Sequence, residues 1–185
     1  MSATLPLTRR DWLEAGQRLL RDGGVAALKL RPLAASLGIS TGSFYHHFKD
    51  FDAFLVELAK YYSGEQLAGN LARVAREAAT PFERIVSASR IAGEVALPEL
   101  IAAMRAWAAR DPRAAVEVEA LERALLDFLG GCFADMGFSA DEAAARAFVL
   151  LSAASGQVCQ PEVTGGRGAL GRLVIEMTVA GAGRG

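Results

Sequence analysis

Cysteine is scarce, histidine is confined to one place, and no apolar run is long enough to cross a bilayer. Cys132 and Cys159 are the only cysteines, 27 positions apart, with no CxxC pair and no histidine near them. That excludes a disulfide scaffold and leaves two structural thiols in a reducing compartment, with a disulfide or redox switch as the alternative. The two histidines, His46 and His47, are neighbours. Side chains one residue apart on a helix diverge by about 100°, so the pair cannot chelate one ion, and no metal is expected. There is no apolar stretch of about 18 residues and no signal-peptide core at the start. The expectation is a soluble, cytoplasmic protein with no membrane partner.

Catalytic groupings are missing as well. A nucleophile needs an adjacent base, and both histidines sit on one surface helix. Gly165-Gly166-Arg167-Gly168 is Gly-rich but follows no strand, so it is no phosphate loop of the Walker or dinucleotide type. Glu94, Glu99, Asp111 and Glu119 read as solvated helix faces rather than paired acid and base. The chain is expected to be no enzyme and to carry no cofactor.

What the chain does have is alanine and helical periodicity. Its 185 residues are 52% hydrophobic, with few β-branched runs, which favours packed helices over sheet. The net charge of −1 announces no nucleic acid. Its distribution does: residues 1–49 hold seven Lys/Arg against three acids, whereas residues 50–185 hold thirteen against eighteen. Such asymmetry marks a local nucleic-acid face, the alternative being an accident of solvated surface.

That basic segment ends in RPLAASLGISTGSFYHHFKD, Arg31 to Asp50. Leu33, Ala34 and Leu37 form one buried face of a short helix. Gly38 follows the last apolar position, where a left-handed residue closes a helix at little cost. Ser40 then reads as the N-cap of a second helix from about Thr41 to His47. Two short helices joined by a tight Gly turn are a helix-turn-helix, whose second helix can enter the major groove. Phe44 and Phe48, at i and i+4, anchor that helix to its core.

Elsewhere, Thr8 caps a helix from Arg9 to about Asp22 whose inner face is Trp12, Ala15, Leu19 and Leu20, stopped by Gly23-Gly24. Pro32 sits in a first turn. Asp50 caps a long fourth helix from Phe51 towards Ala78, which joins two blocks and is the natural lever between them. Thr80-Pro81 starts a fifth helix, and Ala96-Leu97-Pro98 marks a junction. Asp111-Pro112 opens a long helix to about Met136, with Val118, Leu121, Leu125, Phe128, Cys132 and Phe133 on its apolar face. Gly130-Gly131 inside it costs about 1 kcal/mol per glycine relative to alanine, to be offset by close packing, a kink or a ligand space. Ser139 and Glu142 form a capping box for a helix to about Gln157. Pro161 to Gly168 is a loop, and a last helix spans about Ala169–Ala180. The fold class is therefore all-α, with about nine helices: an N-terminal three-helix module at 1–50 and a larger helical block at 51–185.

LGISTGSFYHHFKD after an Arg-x-Leu-Ala helix resembles the recognition segment of TetR-family transcriptional regulators, and the likeness runs from about Thr8 to Leu55. The resemblance implies a ligand-responsive repressor acting on a double-stranded DNA operator. Arg31, Thr41, Gly42, Ser43 and His46 match base-facing positions, and hydroxyls and guanidinium are groups that read base edges. Tyr45, His47 and Lys49 match phosphate-touching positions, and the cap residue Ser40 is counted in the DNA-binding set. A half-buried packing role is the alternative for Tyr45. Two positions depart from the family. The usual lysine at the start of the fourth helix is Phe51, so that contact is not carried over, and the usual Ser/Thr cap of the second helix is Lys29.

The same resemblance implies a homodimer built by the last two helices, with Phe148, Leu151, Ser152, Ser155 and Gly156 at the interface; intramolecular core is the alternative for each. It also implies a cavity for an unknown, largely apolar small-molecule effector, lined by Tyr61, Tyr62, Met104, Trp107, Phe128 and Cys132, where ordinary core is again the alternative. A different class of reading remains: a helical interaction protein of the same fold that regulates through a protein partner.

Overall fold

The computed structural model describes residues 7–155 and 175–181, and these form helices and turns with no strand. Helix α1 spans Arg9–Gly23 and starts where Thr8 dictates. The Thr8 hydroxyl accepts from the Asp11 backbone N–H while the Asp11 carboxylate accepts from that of Thr8, a reciprocal capping box. Trp12, Leu13, Ala15 and Leu20 are buried along it, and Gly24 caps its end. After a 3-10 turn at Val25–Ala27, helix α2 covers Leu30–Ser36. A second 3-10 helix spans Thr41–His46. Then come α3 (Phe51–Ser63), α4 (Glu65–Glu77), α5 (Pro81–Glu94), α6 (Leu97–Ala108), α7 (Pro112–Asp135) and α8 (Ala140–Ser155), and residues 175–179 are helical. The all-α expectation holds.

Several starts follow from single residues. Asp50 accepts from the Ala53 backbone N–H at 2.7 Å and opens α3. Thr80 and Glu83 form a capping box, with Pro81 in the first turn of α5. Ser139 and Glu142 close the same reciprocal pair ahead of α8.

The helices are divided differently from the sequence expectation in two places. The expected third helix is a 3-10 segment rather than an α-helix, and the expected long fourth helix is two helices broken at Gly64. The Gly64 backbone leaves the helix at φ −99°, ψ −100°, while its N–H still donates to the Lys60 carbonyl at 3.0 Å. A Cβ at this position would stand 2.9 Å from that carbonyl oxygen, closer than side chains tolerate, so the break needs glycine.

The chain divides into two compact units, Met1–Glu65 with Glu99–Val118, and Gln66–Pro98 with Glu119–Gly185. In the first, Trp12, Phe44, Phe48, Phe54, Leu58 and Trp107 are buried. In the second, Ile85, Leu129, Cys132, Phe133, Phe138, Ala143, Ala147, Leu150 and Ile175 pack as one core. Helix α7 runs through Gly130 and Gly131 without a break, and a Cβ added at either meets no atom within 4 Å. Close packing against these glycines is therefore not found among the described residues.

Candidate nucleic-acid interface

The turn expected at Leu37–Ser40 forms as a Schellman closure. Gly38 lies at φ +70°, in the left-handed region that glycine enters freely. Its N–H donates to the Ala35 carbonyl at 3.1 Å, and the Ile39 N–H reaches back to Ala34 at 3.1 Å. These two bonds satisfy the last carbonyls of α2 and turn the chain sharply. Ser40 takes the extended N-cap conformation, but its side chain makes no cap bond. Only its backbone carbonyl engages, accepting from Ser43 at 3.2 Å. Lys29 holds the corresponding place before α2, also without a side-chain cap.

An aromatic cluster fixes the segment that follows. Phe44 is fully buried, and its ring meets Trp12 edge-on at 5.3 Å, Phe48 in a stack at 5.1 Å and Phe54 edge-on at 5.7 Å. Phe51 lies 5.4 Å from Phe54 and 6.0 Å from Phe44. The side chain standing where the family has its lysine is thus part of this cluster. The Arg9 guanidinium sits over the outer face of Phe48, 4.9 Å from its centroid, while pairing with Glu57. Each such ring pair contributes about 0.5–1.5 kcal/mol beyond its area burial, so the segment is held by several independent contacts.

With Phe44 and Phe48 turned in, Gly42, Tyr45, His46 and Lys49 are exposed, and Thr41, Ser43 and His47 are half-buried. Gly42 and Tyr45, three apart, share one side of the 3-10 turn, and His46 and Lys49 are exposed beside and beyond them. Tyr45 is 61% exposed, with only an edge against Phe44 at 5.5 Å. Arg31 and Ser40 are exposed on the flanks, as is Lys29. Arg9, Arg10 and Arg21 pair with Glu57, Glu14 and Asp22. Those pairs engage three of the seven Lys/Arg of residues 1–49; among the described residues no ion pair is found for the other four, Arg18 on α1 and Lys29, Arg31 and Lys49 around the turn. The arrangement presents hydroxyls, one imidazole and positive charge on a short rigid ridge, groups suited to base edges and phosphates.

The other expected residues are scattered. Tyr61, Tyr62, Met104 and Trp107 are buried in the first unit; Cys132 is buried and Phe128 half-buried in the second. Tyr61 donates to Glu14 at 3.3 Å, and burial raises its phenol pKa. It also borders a small cleft of about 230 Å³ with Leu13, Glu57, Lys60 and Glu65. Burial pushes the Cys132 thiol up as well. Among the dimer candidates, Phe148 is 64% exposed and Ser152 exposed, but Leu151 packs on the core of the second unit and Ser155 is buried. Gly156 lies outside the described residues, as do Cys159, the Gly165–Gly168 stretch and much of the last expected helix. Val149 and Met177 are exposed as well, and they border a groove of about 400 Å³ with Ala145 and Arg146. Among the described residues no helix is long and apolar enough to cross a membrane, and no cluster of His, Cys, Asp or Glu could hold a metal ion.

One grouping escaped the sequence reading. Arg113 donates to both oxygens of Asp111, with Nη2 at 2.8 Å, and reaches Asp52 through Nη1 at 2.6 Å. The Trp107 indole N–H donates to Asp111 at 3.1 Å. The Arg113 hydrogen bonds hold the Asp111 carboxyl down at about 2. The expectation that Asp111 is a solvated helix residue is corrected here: its side chain is 15% exposed because Arg113 and Trp107 enclose it, and the Asp52 partner of Arg113, 61 positions away, carries no local signal.

Comparison with known proteins agrees with this geometry. Residues 13–58 match the bacterial regulatory proteins of the tetR family. An HTH-type transcriptional repressor of Mycolicibacterium smegmatis, KstR2, is 32% identical over 81 residues, covering 43% of this chain and 39% of that protein. The match thus spans about two fifths of that relative. In fold, a TetR transcriptional regulator from Legionella pneumophila is similar over 96% of this chain and 97% of its own, with TM-score 0.76 and 16% identity. The regulator FadR of Bacillus subtilis, solved in complex with stearoyl-CoA, is similar over 94% and 99%, with TM-score 0.67 and 17% identity. The similarity to the bacterial regulatory proteins of the tetR family is carried by residues 13–58, and over nearly the whole chain the all-α fold is similar to that of the solved regulators.

Proposed function

We propose that the chain is a sequence-specific DNA-binding transcriptional regulator, a repressor that occupies a palindromic operator as a homodimer and leaves it when a small molecule binds. The observation that carries this reading is the exposure of Gly42, Tyr45, His46 and Lys49 around the buried anchors Phe44 and Phe48. Arg31, Thr41, Ser43 and His46 are assigned to base edges, with Gly42 allowing close approach. Ser40, Tyr45, His47 and Lys49 are assigned to the sugar-phosphate backbone. A single short reading segment covers a few base pairs, so two copies are needed for a longer site. The exposed apolar Phe148, Val149 and Met177 supply a surface for the second copy, with Ser152 beside them. Repression accords with the KstR2 relative, and ligand response with FadR, solved with stearoyl-CoA. The effector is assigned an apolar body, matched to Tyr61, Tyr62, Met104 and Trp107. Release is a population shift, set by the effector's preference for the conformation with the heads apart.

Selection of bound duplexes from random DNA, with purified protein at two salt concentrations, tests the reading. A two-fold-symmetric sequence is the expected product, and its half-site spacing gives the dimer geometry. Enrichment of nothing, with weak binding that vanishes in salt, would overturn it in favour of a helical protein acting through a protein partner.

A further inference from the structure

The polar chain from Trp107 to Asp52 does more than close a helix. Trp107 is 2% exposed near the end of α6, and its N–H has one acceptor, the Asp111 carboxylate. That carboxylate leads into α7, accepting the Arg113 backbone N–H at 3.0 Å and three guanidinium hydrogen bonds, two from Nε and one from Nη2. The remaining guanidinium arm crosses to Asp52, in the first turn of α3. Asp52 is three residues past Lys49 and next to Phe51, whose ring packs on the cluster beneath the reading segment. A second tie lies at the other end of α3, where the Ser63 hydroxyl donates to Glu117 of α7. All of these groups belong to the first compact unit.

The two halves of the chain differ in exposure, and the difference decides what each can do. The Asp111 side chain is 15% exposed and its bonds to Arg113 are bidentate, so this half is rigid. The Asp52 side chain is 76% exposed, so its pair with Arg113 is screened and contributes little to stability. A rigid anchor joined to a weak outer contact transmits position without locking it.

We propose that Trp107, Asp111, Arg113 and Asp52 form a positioning relay, by which the packing around Trp107 sets the seating of α3 and of the DNA-reading segment fixed to it. Arg113 is the positioning residue and touches no DNA. A ligand that displaces Trp107 moves Asp111, turns the guanidinium and releases Asp52. This rests on the DNA-binding reading and names the regulation of that same interface.

The chain has two tryptophans, Trp12 and Trp107, so protein made with 5-fluorotryptophan gives two 19F resonances, assigned with Trp107→Phe. The probe is the duplex recovered by selection, with a scrambled duplex as reference. In the unsubstituted protein the selected duplex shifts the Trp107 resonance, and Asp52→Asn removes most of that shift. The same substitution changes operator affinity about two- to fivefold with an unaltered urea midpoint, and Asp52→Glu restores both readouts. A Trp107 resonance indifferent to the duplex, or a shift that Asp52→Asn leaves intact, overturns the relay. If no duplex is recovered, the DNA-binding reading fails instead. Comparing Asp52→Asn with the unsubstituted protein in the absence of DNA then decides the relay alone: a displaced Trp107 resonance supports it, and an unmoved one overturns it.

Discussion

Trp12 and Phe44 meet edge to face with centroids 5.3 Å apart at an interplanar angle of 79°, both fully buried. One belongs to α1 and the other to the reading segment, so this contact converts a short 3-10 turn into a fixed ridge. Phe44→Ala should lower stability by about 3–5 kcal/mol, the cost of an aromatic cavity that its neighbours fill only in part. Urea unfolding measures it, and a loss well under this range would mean that the cluster collapses around the gap.

Contacts to phosphate and to bases separate in salt. Lys49→Ala should weaken every duplex alike and reduce the slope of log affinity against log salt by about 1. Arg31→Ala should relax preference at one operator position by about 1–3 kcal/mol while leaving the others intact. If Lys49→Ala changed which sequences are selected, the division between backbone and base contacts would be wrong.

Asp111 gives a pH test whose sign is fixed by its carboxyl at about 2, below the ordinary 3.8. A depressed carboxyl contributes stability above its unfolded pKa and loses it as pH falls through the folded one. The urea midpoint of Asp111→Asn should therefore trail that of the unsubstituted protein near neutral pH, with the gap narrowing between about pH 4 and pH 2. A gap that stays constant down to about pH 2 would show that the Asp111 charge is not its source.

Gly131 is exposed in mid-helix, with nothing within reach of an added Cβ. Gly131→Ala should raise stability by about 0.5–1 kcal/mol, because alanine loses less backbone freedom in a helix. A fall in the melting temperature would instead locate a close neighbour at this position, such as a second copy of the chain.

Signals carried within about four residues were legible in the sequence, because they are set by backbone geometry and caps. Thr8, Asp50, Thr80 and Ser139 all start helices as their side chains require, and Gly38 turns the chain where the last apolar residue of α2 ends. The reading segment was placed correctly and given the wrong helix type. Its geometry is set by Phe44 and Phe48 docking against Trp12 and Phe54, not by local propensity. The break at Gly64 was missed because the apolar spacing of α3 and α4 continues across it, and only the Lys60 carbonyl shows that no side chain fits.

By itself, then, the sequence determined the all-α class, the Gly38 turn between two short segments and the inward anchors Phe44 and Phe48, since each depends on local periodicity and a few spaced residues. Only the tertiary structure decided that Phe51 joins the aromatic cluster, that Leu151 and Ser155 turn inward while Phe148 and Val149 do not, and that Arg113 reaches Asp52. These pairings join residues far apart in the chain. Their energies come from burial and ion pairing that exist only once the helices have packed.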